Sequence, residues 1–399
     1  MRPHVDFVIT NPRHHLAMFL PVIGHLAAHG EYTVRVRSLC ELRGYTTPVD
    51  RIRSAGAACD VLMPLRLGKD SPRMQYARRT MTGTVRRWTQ AILWRVLIRW
   101  NGTPVHPDLV VVPNDAAFPY DRITAALRAA GIPILLMQEG IRFDLPAAGA
   151  RQYGQGGAAA VAAWGPSSVR YFTAAGVPRD RVHATGNPRL DSLRATDWSA
   201  AARGARDALG LSGRILLLVT NPIDLQGFCT EEAKYDIVAG FLADAMPALR
   251  LRGMHVLIKI HPSESLPRYQ ALAAAVDPAG MTVTRDADLY PLLVLADAVV
   301  TMGSTAGLEA LLFDRPLGVL GVPGQGHLYD YVASRAAVPM GTGPGALVEL
   351  LTPDAERARA QAAYLEDQIA HLGHATGAVV GVIAGLVPAA LPAAGEARR

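Results

Sequence analysis

Only three cysteines, Cys40, Cys59 and Cys229, occur in 399 residues, with no C-x-x-C pair and no companion histidines at metal-ligand spacing. That argues against a disulfide frame and a zinc site, and reads as reduced thiols in a cytoplasmic protein. Charged residues are sparse, at 19%, and no apolar run reaches the roughly 20 residues of a membrane helix. The stretch "AVVGVIAGLVPAALPAAG" (378–395) is apolar but Gly-rich and broken by two prolines, so it reads as a packed terminal helix. The opening "MRPHVDFVITNP" enters a strand directly, with no apolar core of signal-peptide length.

Half of the residues are apolar, enough for large cores, and the length suits two domains of ordinary size. The net charge of +6 is unevenly split: residues 1–190 carry +12 and residues 191–399 carry −6. An acidic partner or membrane surface would therefore meet the first half. Strand-like runs recur throughout, among them "HVDFVIT" (4–10), "YTVRVRSL" (32–39), "DLVVVPN" (108–114) and "IPILLMQ" (132–138). In the second half they include "GRILLLVTN" (213–221), "MHVLIKIHP" (254–262) and "AVVTMGS" (298–304). Helical patterns such as "DRITAALRAAG" (121–131) and "LPRYQALAAAV" (266–276) alternate with them. The alternation predicts an α/β protein with mostly parallel sheets, two Rossmann-like halves and a site in the interdomain cleft. The predicted domains are 1–185, with a terminal helix over 374–390 packing back on it, and 191–373, joined by a linker in "ATGNPRLDSL" (184–193).

Two strand ends in the second half carry chemistry. "KIHPSE" ends a strand in Lys259 and in His261, which is held by Pro262. "AVVTMGSTAGLEALLF" puts Gly303, Ser304 and Thr305 between a strand and a helix, where amides and hydroxyls at the positive end of the helix dipole suit a diphosphate. A plain Ser/Thr helix cap would look the same taken alone. Together with "GVPRDRVHATGNPRLDSL" and "LYPLLVLADAVVTMGSTAGLEALLFDRPL", these runs resemble the C-terminal half of the GT-B superfamily. The nearest branches are the UDP-N-acetylglucosamine 2-epimerases, the CDP-glycerol glycerophosphotransferases and the capsule-type glycosyltransferases. The resemblance is specific over residues 176–325. It implies two facing Rossmann-like domains, a nucleotide donor on the second, and no metal or other cofactor. It further implies that Glu309 accepts bonds from the donor ribose, that Asn221 borders the donor, and that His261 meets a phosphate or leaving group with Lys259 adding charge. "DAD" (286–288) looks like a metal-binding DxD, but it precedes a helix and reads as an N-cap pair.

Three strand ends of the first half are polar. They carry Arg13, His14 and His15 in "TNPRHH", Asp115 in "PNDAA", and Glu139, Gly140 and Arg142 in "QEGIR". In the epimerase branch the positions of Asp115 and Glu139 hold acid/base carboxylates, followed by a Pro-Glu-Glu context. This chain has "LPAAGARQYGQGG" (145–157) there, with no acid. Epimerisation needs two placed groups at C2, whereas glycosyl transfer needs one base and a stabilised leaving phosphate. The expected activity is therefore transfer from a nucleotide-sugar donor to a hydroxyl acceptor, a cell-envelope glycan or secondary metabolite. Glu139 or Asp115 would be the base, and Arg13, His14, His15 and Arg142 would be acceptor contacts. Nucleotide-sugar 2-epimerase or hydrolase activity, and CDP-polyol phosphotransfer, are the alternatives.

Residues 66–102 hold nine Lys+Arg, one Asp and three tryptophans, Trp88, Trp94 and Trp100. An ordinary amphipathic helix explains this, and a peripheral membrane contact through 73–100, or a track for an anionic or lipid-linked acceptor, is the functional alternative. No nucleic-acid module is recognisable.

Overall fold

The computed structural model describes residues 2–62, 107–140, 153–341 and 343–388. The chain divides into two compact units, Met1–Ala195 with Asp367–Arg399, and Thr196–Glu366.

Unit 1 is built on a seven-stranded sheet of β1 (His4–Ile9), β2 (Thr33–Ser38), β3 (Ala58–Val61), β4 (Leu109–Val112), β5 (Ile134–Met137), β6 (Ala160–Ala163) and β7 (Val182–Ala184). The order is β3-β2-β1-β4-β5-β6-β7, and every pairing is parallel. The chain moves outward from β1 to β3, then returns beside β1 with β4, which creates a topological switch point between β1 and β4. The central strands β4, β5 and β6 are buried along their whole length. This is the pattern of a parallel sheet covered on both faces, here by α1 (His14–His29), α2 (Val49–Ser54), α3 (Tyr120–Ala129) and α4 (Pro166–Ala174), while α5 (Pro188–Ala195) packs against α1. Asp6 is a buried exception on β1. Arg35 holds both of its oxygens at 2.9 Å, and Arg37 donates from Nε at 2.6 Å, both from the neighbouring β2.

Unit 2 repeats the plan. After α6 (Ser199–Ala208), its strands are β8 (Arg214–Val219), β9 (Met254–Lys259), β10 (Met281–Thr284), β11 (Ala298–Thr301), β12 (Leu317–Leu320) and β13 (Val338–Met340). They pair in parallel in the order β10-β9-β8-β11-β12-β13, with the switch point between β8 and β11. The helices are α7 (Glu231–Leu251), α8 (Leu266–Val276), α9 (Leu289–Leu295), α10 (Thr305–Leu312), α11 (Pro344–Leu351) and α12 (Ala355–Gln368). Thr230 caps α7 by accepting from the Ala233 amide at 3.1 Å. Asp288 stands at the N-cap position of α9 with an extended backbone, but its side chain makes no cap bond.

Beyond α12, α13 (Ala375–Leu386) belongs to unit 1. Val379 and Ile383 are fully buried in the unit 1 core beside Phe19, Val22 and Leu26. Asp191 of α5 accepts the Ala375 and Thr376 amides at 3.0 and 2.8 Å, which fixes the start of α13. Among the described residues, no helix is long and apolar enough to cross a membrane.

The structure departs from the sequence expectations in several places. The stretch expected as a linker contains α5, whose start is organised by the Asn187 side chain accepting the Arg189 amide at 3.1 Å. Strands β3, β7 and β13 are short edge or near-edge strands without a long apolar run, and β13 includes Pro339, which an edge position tolerates. The tryptophan-rich segment and Arg142 lie outside the described residues.

Candidate functional site

In unit 1 the polar groups gather where β1, β4 and β5 end. Asn11 follows β1, and its side-chain oxygen accepts the Arg13 and His14 amides at 3.0 Å each, opening α1. That places His14 and His15 in the first turn of α1, with His15 inward and buried. His15 Nδ1 accepts the Thr10 and Asn11 amides at 3.2 Å each, so its proton sits on Nε2, which donates to Glu139 Oε2 at 3.2 Å. On the other carboxylate oxygen, Asn114 Nδ2 donates at 2.5 Å. Asn114 is itself aimed, because its oxygen accepts the Ala116 and Ala117 amides at 2.9 and 2.8 Å.

His14 Nε2 donates to the Glu139 carbonyl at 2.7 Å. Burial depresses the pKa of His14, more than the Glu139 carbonyl and carboxylate raise it, so the neutral ring is favoured with Nδ1 as an acceptor. For Glu139, burial pushes the carboxyl up, but the His15 and Asn114 hydrogen bonds outweigh it and hold it below the usual carboxylate range. The Glu139 side chain keeps 22% of its surface exposed. Among the described residues, a β-carbon on Gly140 would meet nothing within 4 Å.

Asp115 has a different environment. It is fully buried, and its oxygens accept the Gly154 and Gly156 amides at 2.8 and 2.5 Å. A side chain on Gly156 would overlap that carboxylate. The geometry is that of a clamp on the segment before β6. Arg13 is exposed at the N-cap position of α1.

In unit 2 the corresponding groups stand at the ends of β8, β9 and β11. Gly303 takes φ +106°, and a β-carbon there would come within 2.8 Å of Leu328 Cβ, so the turn into α10 needs glycine. Ser304 Oγ caps α10 by accepting the Ala306 amide at 3.2 Å. Tyr331 OH accepts the Leu308 amide at 3.0 Å and donates to the Ser304 carbonyl at 2.9 Å. Part of the helix start is thus internally satisfied, and what it presents outward are the partly exposed Ser304 and Thr305. Asn221 spans the switch point: Nδ2 donates to the Gly303 carbonyl at 2.8 Å, while Oδ1 is buried without a partner among the described residues. Glu309 is buried on α10 and accepts from Tyr290 OH at 3.3 Å.

Lys259 turns away from α10. Its ammonium donates to the Ile260 and Arg285 carbonyls at 3.1 and 2.7 Å, tying the ends of β9 and β10, and burial lowers its pKa. His261 is exposed, and its Nδ1 accepts the Ser263 amide at 3.2 Å, so its proton sits on Nε2. Partial desolvation of the ring, opposed by Glu264, lowers its pKa and favours this neutral donor form.

Sequence reasoning overlooked Glu264, Lys234, Tyr290 and Tyr331, since aromatic and charged residues within helices or turns carry no motif of their own. Asn114 was visible only as a strand-end polar residue. Among the described residues, no group of three His, Cys, Asp or Glu side chains could hold a metal ion.

A family model described as "Capsule polysaccharide biosynthesis protein" matches residues 233–326, inside unit 2. No curated protein matches the chain. Solved structures do. The UDP-GlcNAc 2-epimerase from Neisseria meningitidis bound to UDP-GlcNAc is 15% identical, with a TM-score of 0.63 over 96% of this chain and 100% of that one. The UDP-GlcNAc 2-epimerase from Methanocaldococcus jannaschii in complex with UDP-GlcNAc and UDP is 12% identical, with a TM-score of 0.60 over 96% and 99%. A glycosyltransferase from Rickettsia africae is 11% identical, with a TM-score of 0.58 over 98% and 100%. With two parallel α/β sheets, each reversing strand order beside its first strand, and these structural neighbours, the chain has the GT-B fold.

Proposed function

We propose that the chain is a GT-B-type glycosyltransferase that moves a sugar from a nucleotide-sugar donor to a hydroxyl acceptor, without a metal. The observation that carries the reading is the contrast between the two carboxylates of unit 1. Asp115 is sealed and engaged by two amides, whereas Glu139 stands at the switch-point end of the sheet, partly exposed and oriented by His15 and Asn114. One oriented carboxylate suits deprotonation of an acceptor hydroxyl, a step worth about 10²–10⁴ in rate. Removing and returning a proton at C2 of a sugar asks for two such groups.

In this reading unit 2 takes the donor. The His261 Nε2–H and the Ser304 and Thr305 hydroxyls beside the α10 N-terminus offer neutral donors to the diphosphate, and stabilise the charge that develops as it leaves. Glu309 would accept from the donor ribose in place of Tyr290. The structural neighbours bound to UDP-GlcNAc or UDP support a nucleotide-sugar ligand.

The test incubates purified protein with a panel of nucleotide sugars, first alone and then with hydroxyl acceptors, following free nucleotide and sugar identity. Nucleotide release that depends on an acceptor is the expected result. Conversion of a donor to its C2 epimer with no acceptor present would overturn the reading in favour of the epimerase.

A further inference from the structure

Beneath His261 lies a buried network of charged groups that no step above uses. Glu264 is 6% exposed, and each of its carboxylate oxygens has two partners. Oε2 accepts from Thr220 Oγ1 at 2.5 Å and from the His261 amide at 3.0 Å. Oε1 accepts from Tyr269 OH at 3.0 Å and lies 3.2 Å from Lys234 Nζ. Lys234, 2% exposed in the first turn of α7, also donates to Asp224 at 2.8 Å. Burial would discharge this ammonium, but the Asp224 and Glu264 carboxylates more than offset it, so its pKa is raised.

Removing such ions from water costs several kcal/mol each, and well-packed apolar residues would often be as stable or more so. What the charges supply is geometry. One carboxylate joins the end of β8, the first turns of α7 and α8 and the turn after β9. That turn is closed from both directions, because the Glu264 amide donates to the His261 carbonyl at 3.0 Å while the Glu264 side chain accepts the His261 amide. With Ser263 holding Nδ1, the imidazole is left with a single outward donor, Nε2–H.

We propose that Glu264, neutralised by Lys234, is a positioning residue that holds His261 so that its Nε2–H meets a phosphate oxygen of the donor's diphosphate. This rests on the assignment of unit 2 as the donor-binding unit. The carboxylate acts through the backbone of His261 and touches no ligand itself. Its charge also keeps the ring more basic than its surroundings otherwise allow.

The experiment measures binding of UDP, CDP, GDP and ADP by calorimetry to wild type, Glu264→Gln and the milder, shape-conserving Thr220→Val, each also in a His261→Ala background. The His261 ring is titrated by NMR in parallel. Expected is a loss of about tenfold in affinity for the tightest diphosphate in Glu264→Gln, and a smaller loss in Thr220→Val, both shrinking below about twofold once His261 is gone. The His261 midpoint should fall in Glu264→Gln. Equal losses in both backgrounds, or an unmoved midpoint, would overturn the proposal and leave a purely structural network. If Glu264→Gln does not fold, the Thr220→Val cycle decides. If wild-type protein binds none of the four diphosphates, the donor-unit assignment falls and the proposal falls with it, whereas diphosphate binding with equal losses in both backgrounds overturns the positioning role alone.

Discussion

Glu139 Oε2 and His15 Nε2 stand 3.2 Å apart, and the amides of Thr10 and Asn11 on the far side of the imidazole fix which nitrogen carries the proton. The end of β1 thereby sets the charge state and orientation of a carboxylate at the end of β5. Glu139→Gln should reduce acceptor-dependent transfer about 10²–10⁴-fold while leaving nucleotide affinity within about twofold. Steady-state kinetics with nucleotide calorimetry checks this, and a wild-type rate in the variant would remove Glu139 from the chemistry.

His14 and Glu139 both make unit 1 sensitive to acid, in two windows. The folded pKa of His14 lies below its ordinary value of 6.5, so the unfolded chain binds the proton more readily, and stability is lost as pH falls below that value. Glu139 lies below its ordinary 4.5, so its contribution is present above that pH and is lost as pH falls through the folded value. Urea melts at pH 7.0 and 5.5 should show a larger loss for wild type than for His14→Gln, which has no ring to protonate. Equal losses in the two proteins would contradict the assignment.

Asp115 is predicted to matter for stability and not for proton transfer. Asp115→Asn keeps the shape but can no longer accept both the Gly154 and Gly156 amides. A cost of about 1–3 kcal/mol is expected for the amide left unpaired, read as a lower urea midpoint. At a temperature where the variant stays folded, kcat should change little. A fall in kcat as deep as that of Glu139→Gln, without loss of stability, would reverse the two roles.

Gly303→Ala tests the turn into α10. With φ at +106° and Leu328 Cβ 2.8 Å from the added carbon, the variant must strain the backbone or shift the loop carrying Leu328. About 1–3 kcal/mol of stability should be lost, together with nucleotide affinity. A variant that melts and binds like wild type would show that the turn relaxes freely.

The alternation of apolar strands with helical segments was legible because parallel strands covered on both faces become continuous apolar runs, as in "LVVV", "ILLM" and "AVVT". The edge strands β3 and β13 were not, since an edge buries less and needs no such run. At the site, the residues at strand ends could be read: His14, His15 and Glu139 come together, as do Asn221 and Gly303. Their division of labour could not. Asp115 and Glu139 look alike in sequence, and only the fold shows that two glycine amides close over one of them. Lys259 looked like a phosphate ligand, yet it spends its donors on the carbonyls of Ile260 and Arg285. Glu264 stayed invisible because its partners come from positions 220, 234 and 269, which only the sheet brings together.

The seating of Val379 and Ile383 in the core of unit 1 bears on how the protein is made. Unit 2 is a continuous stretch that ends at Glu366, so all of it has been synthesised before α13 leaves the ribosome. Unit 1 begins first in the chain but finishes last. The apolar face that α13 covers in the finished fold lacks that cover while unit 2 is being synthesised. During vectorial synthesis the first half is thus the one exposed to chaperones and to misassembly, and the arrival of α13 is the event that closes it.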